Sequence, residues 1–524
     1  MARFAAIDIG SNALRLRVVE ASRSSRHASE QLTLLPGERD PGWSEIVSLR
    51  AAVRLGGEVF VSGKLAPASI AAACAALKEF RQQMDAAKVD AYRATATSAV
   101  REAANGATFI ERVRREAGIE LEAIEGIEEA RLIQLAVTRR IALDERKALL
   151  IDVGGGSTEL TLLDRGQATF AISLPVGTVR ILETFLREQP IVDKERADLI
   201  REAIDRAYGE ARPHLKSVAL DAVIGTGGNL DTLAELCPVK GGKTNERAVD
   251  LVATRALFAK MCAMAPAERA KAYGLRPDRA DTIVPAAAIF LRLAELLKAE
   301  TIVAPGVGLK DGILEELVDK HFHVWDTARE AESVLSACVR LGHRYHFDEK
   351  HGLLVAHLAT RLFDDLRDTH ALTDRDRLLL RAAALLHDIG DFVRYDGHHK
   401  HSYYVILHSD IMGLTPAERN VVANVARYHR KSGPDPSHPN FRELDKDTRS
   451  KVRALAAILR VADGLDREHL GKVTDVRASL EKGKSRVALA ITGSEERELE
   501  EWTVRAKSGL WKDVFGLDVV LTGA

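Results

Sequence analysis

The sequence predicts an α/β fold made of two related domains, followed by an all-α domain and a small α+β C-terminal cap. Three observations predict it. In the first half, short β-rich runs (FAAIDIG, ALRLRVVE, ALLIDVGGG, STELTLLD, DAVIGTGGN) alternate with Ala-rich helical segments such as ASIAAACAALKEFRQQM. After about residue 319 the strand signals vanish and long Leu/Ala helices run to roughly residue 470. An internal echo joins Ala6-Ile7-Asp8-Ile9-Gly10-Ser11-Asn12 to Leu150-Ile151-Asp152-Val153-Gly154-Gly155-Gly156, each followed at once by another strand, Ala13–Val19 or Thr158–Leu163. Two copies of one hairpin imply two similar domains.

The 524 residues exceed what one core supports, since single cores stop growing near about 250–300 residues. The expected divisions are residues 1–130, 131–318, 319–470 and 471–524, the last regaining strand character in VTDVRASL, SRVALAITG and LDVVLTG around one helix from Glu495 to Trp511. Hydrophobic residues make up 46% and charged residues 29%, a globular balance rather than that of a disordered chain. Lys+Arg 75 against Asp+Glu 76 leaves a formal charge of -1, so no global field draws the chain to nucleic acid or anionic lipid, and any grip on a polyanion is local. Cys74, Cys237, Cys262 and Cys338 are scattered, without the close pairs of a zinc site, which suits a reducing, cytoplasmic compartment. The opening residues reach Asp8 before an apolar signal core forms, and the best apolar stretch, Ile283 to Leu291, is stopped by Arg292 and Glu295, so no membrane segment is expected.

Each hairpin has the chemistry of a phosphate site. An apolar strand ends in Asp and passes into a turn of small residues, so backbone N–H groups can face a phosphate while the carboxylate holds a metal beside it. In the first copy these are Asp8 and Gly10, Ser11 and Asn12; in the second, Asp152 and Gly154, Gly155, Gly156 and Ser157. Glu159 lies on the returning strand, where it can meet the same metal or a water. The plain alternative is a flexible hairpin tip, but a triple glycine bracketed by Asp and Glu between buried strands outweighs it. A third loop, Gly225-Thr226-Gly227-Gly228-Asn229, leaves a strand and enters a helix, a shape suited to an anion at a helix N-terminus.

These residues resemble the actin, hexokinase and heat-shock chaperone superfamily, whose two ribonuclease-H-like domains enclose a nucleotide or phosphate cleft. The blocks Ala94-Thr95-Ala96-Thr97-Ser98-Ala99-Val100-Arg101-Glu102-Ala103 and Ile124-Glu125-Gly126-Ile127-Glu128-Glu129-Ala130-Arg131-Leu132-Ile133 are more narrowly similar to the exopolyphosphatase and guanosine pentaphosphate phosphatase family, as are the triple-Gly hairpin, Arg279-Ala280-Asp281 and Gly308-Leu309-Lys310-Asp311-Gly312. That resemblance makes Glu129 the carboxylate that activates the attacking water, with Asp152 and Glu159 binding metal and Arg101 holding a phosphate. It implies Mg2+ or Mn2+ as cofactor, inorganic polyphosphate or guanosine pentaphosphate as substrate, and a homodimer. The bland reading of Glu128-Glu129 is a solvated helix face paired with Arg131. One departure is visible: where the family pattern leads to expect a serine-containing turn before Gly-Leu-Arg-Glu-Gly, this chain carries Lys310, which keeps a cation but loses the guanidinium fork.

In the helical part His351, the pair His387-Asp388, and Asp463 resemble the order of HD-type metal phosphohydrolases, which implies a second divalent metal, with His398, His399, His401 and His429 able to surround the same spot. The alternative is a scaffold that has kept the fold without the metal. Arg427-Tyr428-His429-Arg430-Lys431 forms a local cationic strip able to hold a long polyphosphate, or simply a solvated helix end. Exopolyphosphatase activity is the leading expectation, with guanosine pentaphosphate 5'-phosphohydrolase on the same site as its competitor. From other classes come a kinase of the same fold, which would need a hydroxyl acceptor, and a nucleotide phosphohydrolase acting from the HD-like domain with the first half as an alarmone sensor.

Overall fold

The computed structural model describes residues 1–22, 42–239, 247–322, 327–481, 485–494 and 496–523, in two compact units, Met1–Trp325 and Asp326–Ala524. In the first unit β1 (Ala2–Ile9), β2 (Leu14–Ala21), β3 (Trp43–Ala51), β4 (Ala91–Ala96) and β5 (Leu121–Ala123) form a sheet in the order β3-β2-β1-β4-β5. A second sheet takes β6 (Lys147–Val153), β7 (Thr158–Asp164), β8 (Gln167–Leu174), β9 (Ala222–Thr226), β10 (Ala248–Asp250) and β11 (Thr301–Val303) in the order β8-β7-β6-β9-β11-β10.

The first five positions of both orders correspond, and the correspondence extends to single atoms. β1 is antiparallel to β2 and parallel to β4, as β6 is to β7 and β9. The amide of Gly10 donates to the Ala13 carbonyl at 3.1 Å, and that of Gly154 to the Ser157 carbonyl at 3.0 Å, closing two equivalent turns. The register sets Asp8 opposite Arg15 and beside Thr95, and Asp152 opposite Glu159 and beside Thr226. The short echo in the sequence is therefore a duplicated domain. Each sheet has its own core, one around Ile7, Leu16, Phe80 and Phe109, the other around Leu149, Ile151, Leu160 and Phe290.

Five helices of this unit bear on the site: α1 (Ser98–Glu102), α2 (Gly126–Arg140), α3 (Gly228–Leu236), α4 (Pro277–Leu297) and α5 (Leu309–Phe322). The boundaries expected at 130/131 and 318/319 both fall inside helices, α2 and α5. No Pro or Gly breaks either run there, and α5 packs backbone to backbone on α2: a Cβ at Gly312 would stand 1.9 Å from the Leu132 carbonyl oxygen. The strand signal of the first half ends with β11, and the first compact unit ends at Trp325, shortly after α5.

The second unit contains α6 (Glu349–Asp365), α7 (Asp374–Leu386), α8 (His398–Leu407), α9 (Pro416–Arg427), α10 (Lys446–Gly464) and α11 (Glu498–Lys507). Local chemistry fixes their starts: Asp348 accepts from the His351 amide, and Thr373/Asp376 and Thr415/Glu418 form reciprocal capping boxes. β12 (Val473–Leu480), β13 (Arg486–Gly493) and β14 (Asp518–Gly523) make a three-stranded sheet. The tail has the strands expected of it but is not a separate body. His357 Nε2 lies 3.1 Å from Asp475 Oδ1, and Asp365 accepts from the Ala478 amide at 2.9 Å, so the sheet lies on α6 within the same unit. The single helix expected from Glu495 to Trp511 is instead α11 and Gly509–Phe515, broken at Ser508-Gly509; Glu495 lies outside the described residues. Among the described residues no helix is long and apolar enough to cross a membrane.

Gly312→Ala forces α5 off α2 and lowers stability by about 2 kcal/mol or more, read as a drop of several degrees in the thermal midpoint. Gly308→Ala, where nothing lies within 4 Å of the added Cβ, leaves the midpoint unchanged.

Candidate active site

The two hairpin tips meet. A Cβ at Gly155 would lie 2.7 Å from that of Ser11, so glycine at this position lets one turn rest on the other. Above them opens a cavity of about 390 Å³ between the two domains of the first unit, lined by Asp8, Gly10, Ser11, Asn12, Glu129, Asp152, Gly154, Gly155, Gly227 and Gly228 among others. Ion pairs join its walls: Arg50 with Asp278, and Arg54 with Asp281 at 2.7 Å.

Its floor is acidic. Glu129, Asp152 and Glu159 are buried, and one carboxylate oxygen from each lies within 4.8 Å of the others. Strand register brings Asp152 beside Glu159; α2 adds Glu129, because Gly126 lets the helix start against β8 and Glu159, where a Cβ would clash with Ser173 at 2.4 Å. Thr226 Oγ1 donates to Asp152 Oδ1, and Ser173 Oγ donates to Glu159 Oε1 at 2.8 Å. The remaining oxygens Glu129 Oε2 and Glu159 Oε2 are buried without a hydrogen-bond partner. Burial, followed by the charges of Glu159 and Asp152, pushes Glu129 well above the usual carboxylate range. Burial and then Asp152 raise Glu159 to about 7, and burial raises Asp152 to about 6 against the Thr226 hydrogen bond. A carboxylate set with orphaned oxygens and raised proton affinity fits a divalent cation bound among Glu129, Asp152 and Glu159.

The Glu128-Glu129 pair divides its work. Glu128 accepts from Arg131 Nε at 2.7 Å and from Arg93 at 3.1 Å, and both arginines also bind Glu316, at 2.8 and 2.6 Å. Its role is the structural one that an acidic pair beside Arg131 suggests. Glu129, one position further round the helix, faces the cavity instead.

The opposite lining is cationic, with Arg15, Arg17, Arg50, Arg276, Arg279 and Lys310. Burial, then Arg15 and Arg276, lowers Arg279 to about 10, and burial lowers Lys310. Crowded, partly desolvated cations of this kind are relieved by a polyanion. Sequence reasoning missed Arg15, Arg17, Arg50 and Arg276. The signal available was alternation in Leu14-Arg15-Leu16-Arg17-Val18, which sets two arginines on one face of β2.

Several expected phosphate contacts stand elsewhere. A Cβ at Gly156 would meet Phe60 and Ser98 at 2.3 Å, and one at Gly225 would meet Leu230 at 2.3 Å, so these two glycines serve packing behind the wall. Ser157 closes the hairpin turn, and Thr226 is spent on Asp152. Arg101, on α1, donates from Nη1 to the Ile124 carbonyl at 2.7 Å; its charge acts on Glu129 and Glu159 from behind the cavity lining.

In the second unit α6, α7 and α10 bring His351, His387, Asp388 and Asp463 together. His351 Nε2 is 3.1 Å from His387 Nε2, and Asp463 Oδ1 is 3.8 and 3.6 Å from those two atoms. Burial favours the neutral ring of His387, but Asp388 and Asp463 push it up to about 9. His398 and His429 adjoin Asp388, whereas His399 and His401 are not among the converging ligand atoms.

Duplicated domains closing on a cleft that opposes buried carboxylates to a cationic wall define an actin-like phosphate-handling protein. The chain belongs to the Ppx/GppA phosphatase family: that family's profile matches residues 38–321, and its domain III matches residues 335–507. A guanosine-5'-triphosphate,3'-diphosphate pyrophosphatase of Aeromonas salmonicida is 26% identical over 428 residues, 80% of this chain and 79% of that one. Exopolyphosphatase 1 of Mycobacterium leprae is 30% identical over 324 residues, 60% of this chain and 90% of its own. The crystal structure of an exopolyphosphatase from Cytophaga hutchinsonii, 24% identical, shares the fold with a TM-score of 0.53 over 61% of this chain and 98% of that one.

Replacing Glu159 by Gln removes one buried charge from the acidic floor. With divalent metal chelated, the variant is more stable than the parent by about 1 kcal/mol, and added Mg2+ raises its thermal midpoint less than the parent's. Parallel scanning calorimetry of the two proteins checks both shifts.

Proposed function

We propose that this chain is an exopolyphosphatase, cutting the terminal phosphate from inorganic polyphosphate with water. The observation that carries the reading is that the cluster of Glu129, Asp152 and Glu159, with orphaned oxygens on Glu129 and Glu159, adjoins a cavity that Glu129 and Asp152 line together with the half-buried cations Arg15, Arg50, Arg279 and Lys310. Asp152 and Glu159, with Asp8 at the edge, would hold Mg2+ or Mn2+, which supplies charge neutralisation at the phosphate oxygens. Glu129 accepts the proton of the attacking water; its raised proton affinity brings a carboxylate closer to the working pH of a general base. Amides at the tips of the Gly10 and Gly154 hairpins and at the start of α3 orient the phosphates, and Arg15, Arg50, Arg279 and Lys310 neutralise the charge that spreads during transfer. Arg101 acts by position, tuning Glu129 and Glu159. The setting proposed is cytoplasmic, with all four cysteines free.

Polyphosphate is favoured over a guanosine nucleotide because the lining carries more cations than one terminal phosphate requires and, among the described residues, no aromatic ring on which a base could stack. The second reading, removal of the terminal 5'-phosphate of guanosine pentaphosphate, is supported by the Aeromonas relative, whose similarity runs through both halves of the chain.

Glu129→Gln lowers kcat by about 10²–10⁴-fold while polyphosphate still binds, measured by phosphate release and by equilibrium binding. Retained turnover removes Glu129 from the mechanism. Steady-state comparison of long polyphosphate, tripolyphosphate and guanosine pentaphosphate with Mg2+ ranks the substrates. Preference for the nucleotide would replace the first reading by the second.

A further inference from the structure

The turn between Asp152 and Glu159 is held carbonyl by carbonyl from residues 178–180. The Gly154 carbonyl accepts from the Thr178 amide at 3.0 Å, and the Gly155 carbonyl accepts from the amides of Val179 at 2.8 Å and Arg180 at 3.0 Å. The third carbonyl, that of Gly156, accepts at 2.8 Å from Arg180 Nε, the one side chain among these donors. Gly177 makes room for the contact, since a Cβ there would stand 2.5 Å from the Gly155 oxygen. The peptides of the turn are trans, so each carbonyl drawn toward residues 178–180 points the following N–H the opposite way. Those N–H groups belong to Gly155, Gly156 and Ser157, and among the described residues none of the three has an acceptor. Gly154 and Gly155 form the part of the turn that lines the cavity, while Gly156 lies behind it.

Arg180 is itself fixed from two further sides. Its Nη2 donates to both Glu102 oxygens, at 2.8 and 2.7 Å, and the guanidinium lies over the Phe60 ring, 4.2 Å from its centroid. Glu102 ends α1, and Phe60 sits in the helix Gly56–Ser62. With its plane set by the ring and the carboxylate, the fork meets Gly156 in one orientation. The twin turn has no such brace. Ser11, which stands where Gly155 does, gives its carbonyl to the Gly56 amide at 2.8 Å, but the carbonyl of Asn12, the counterpart of Gly156, has no donor among the described residues. The side-chain brace belongs to the hairpin that carries Asp152 and Glu159.

We propose, resting on the reading that this cleft hydrolyses a phosphoanhydride, that Arg180 is a positioning residue for that reaction. It acts through the turn, not on the substrate: by holding the Gly156 carbonyl it keeps the Gly155 amide presented to the phosphate that the cavity receives. The turn needs this help because consecutive glycines, lacking Cβ atoms, resist peptide rotation weakly. If the Gly156 carbonyl swings away, the peptide before it tilts too, and the donor facing the phosphate is lost or displaced. A shift of about 1 Å at a reacting group is enough to cost about 10²-fold in rate.

Arg180→Met keeps bulk over Phe60 and removes every donor. It is expected to lower kcat for tripolyphosphate with Mg2+ about 10²-fold while the thermal midpoint stays near the parent's. Arg180→Lys, whose single ammonium reaches the Gly156 carbonyl or Glu102 but not both, is expected to restore part of that loss. Glu102→Gln removes the ion pair yet leaves Nε on Gly156, and its kcat is expected to stay within about threefold of the parent's. A brace serving stability alone would lower the thermal midpoint of Arg180→Met without lowering kcat, or make Glu102→Gln lose as much kcat as Arg180→Met; either result overturns the proposal. A crystal structure of Arg180→Met supplies an arm that needs no turnover: the Gly156 carbonyl is expected to leave residues 178–180 and the Gly155 amide to move with it, and a turn that superposes on the parent's overturns the proposal. If the parent itself releases no phosphate, the hydrolase reading fails, and that crystal structure still decides whether Arg180 holds the turn. Should circular dichroism show Arg180→Met unfolded, Arg180→Lys carries both arms, with a smaller loss of kcat expected and parental kcat overturning the proposal.

Discussion

Buried carboxylates repel, and the first unit is arranged so that three of them cannot separate. Asp152 and Glu159 are cross-strand partners in a hairpin whose strands are buried, and Glu129 is pressed toward them by a helix whose first residue is a glycine set against β8. Hydroxyls of Thr226 and Ser173 satisfy part of this charge. What remains unsatisfied sits in the acidic floor, and the rest of the cleft is organised around it. The cationic lining is the complementary half, discharged in part through Arg15 on Asp8, Arg17 on Asp311 and Arg50 on Asp278. Such unrelieved charge of both signs costs stability in the unliganded protein and is the usual mark of a site shaped for a ligand.

Duplication explains why two chemistries arise from one motif. In the first copy the position opposite the strand-end Asp8 is Arg15, which binds it at 3.0 Å; in the second, the position opposite Asp152 is Glu159. One hairpin thus carries an ion pair beside its turn, while its twin concentrates negative charge. The same architecture therefore produces a cationic wall and an acidic floor. The family assignment agrees with this division, because phosphate transfer to water requires both charge neutralisation and a positioned base.

The second unit solves a similar problem with helices. Histidines from α6, α8 and the ends of α7 and α9 meet around Asp388, and each ring is oriented by an oxygen behind it. Local geometry does part of this work: in His387 and His429 the orienting acceptor is the carbonyl three residues back, so a helix end supplies its own support. The C-terminal strands and α11 close against these helices, which is how Lys507 reaches Asp463 from far along the chain.

Much of this was legible in the amino-acid order because it is local. Strand-end Asp followed by small residues announces its turn, the hairpin echo announces a repeated domain, and the His-Asp pair announces a candidate ligand set. Packing across long separations was not legible. Nothing near Gly156 or Gly225 says that Phe60 or Leu230 will occupy the space a phosphate was expected to fill, and nothing in Glu128-Glu129 says which carboxylate Arg93 and Glu316 will claim. The limits expected at 130/131 and 318/319 fell within α2 and α5, because helix-to-helix packing through Gly312 leaves no local mark. The sequence alone determined the hairpins, the repeat and the residue types on offer, since backbone propensity and turn chemistry act over a few residues. Which of those side chains converge, and hence where charge is left unbalanced, was decided only by the tertiary structure, because burial and Coulomb interaction depend on distance in space rather than along the chain.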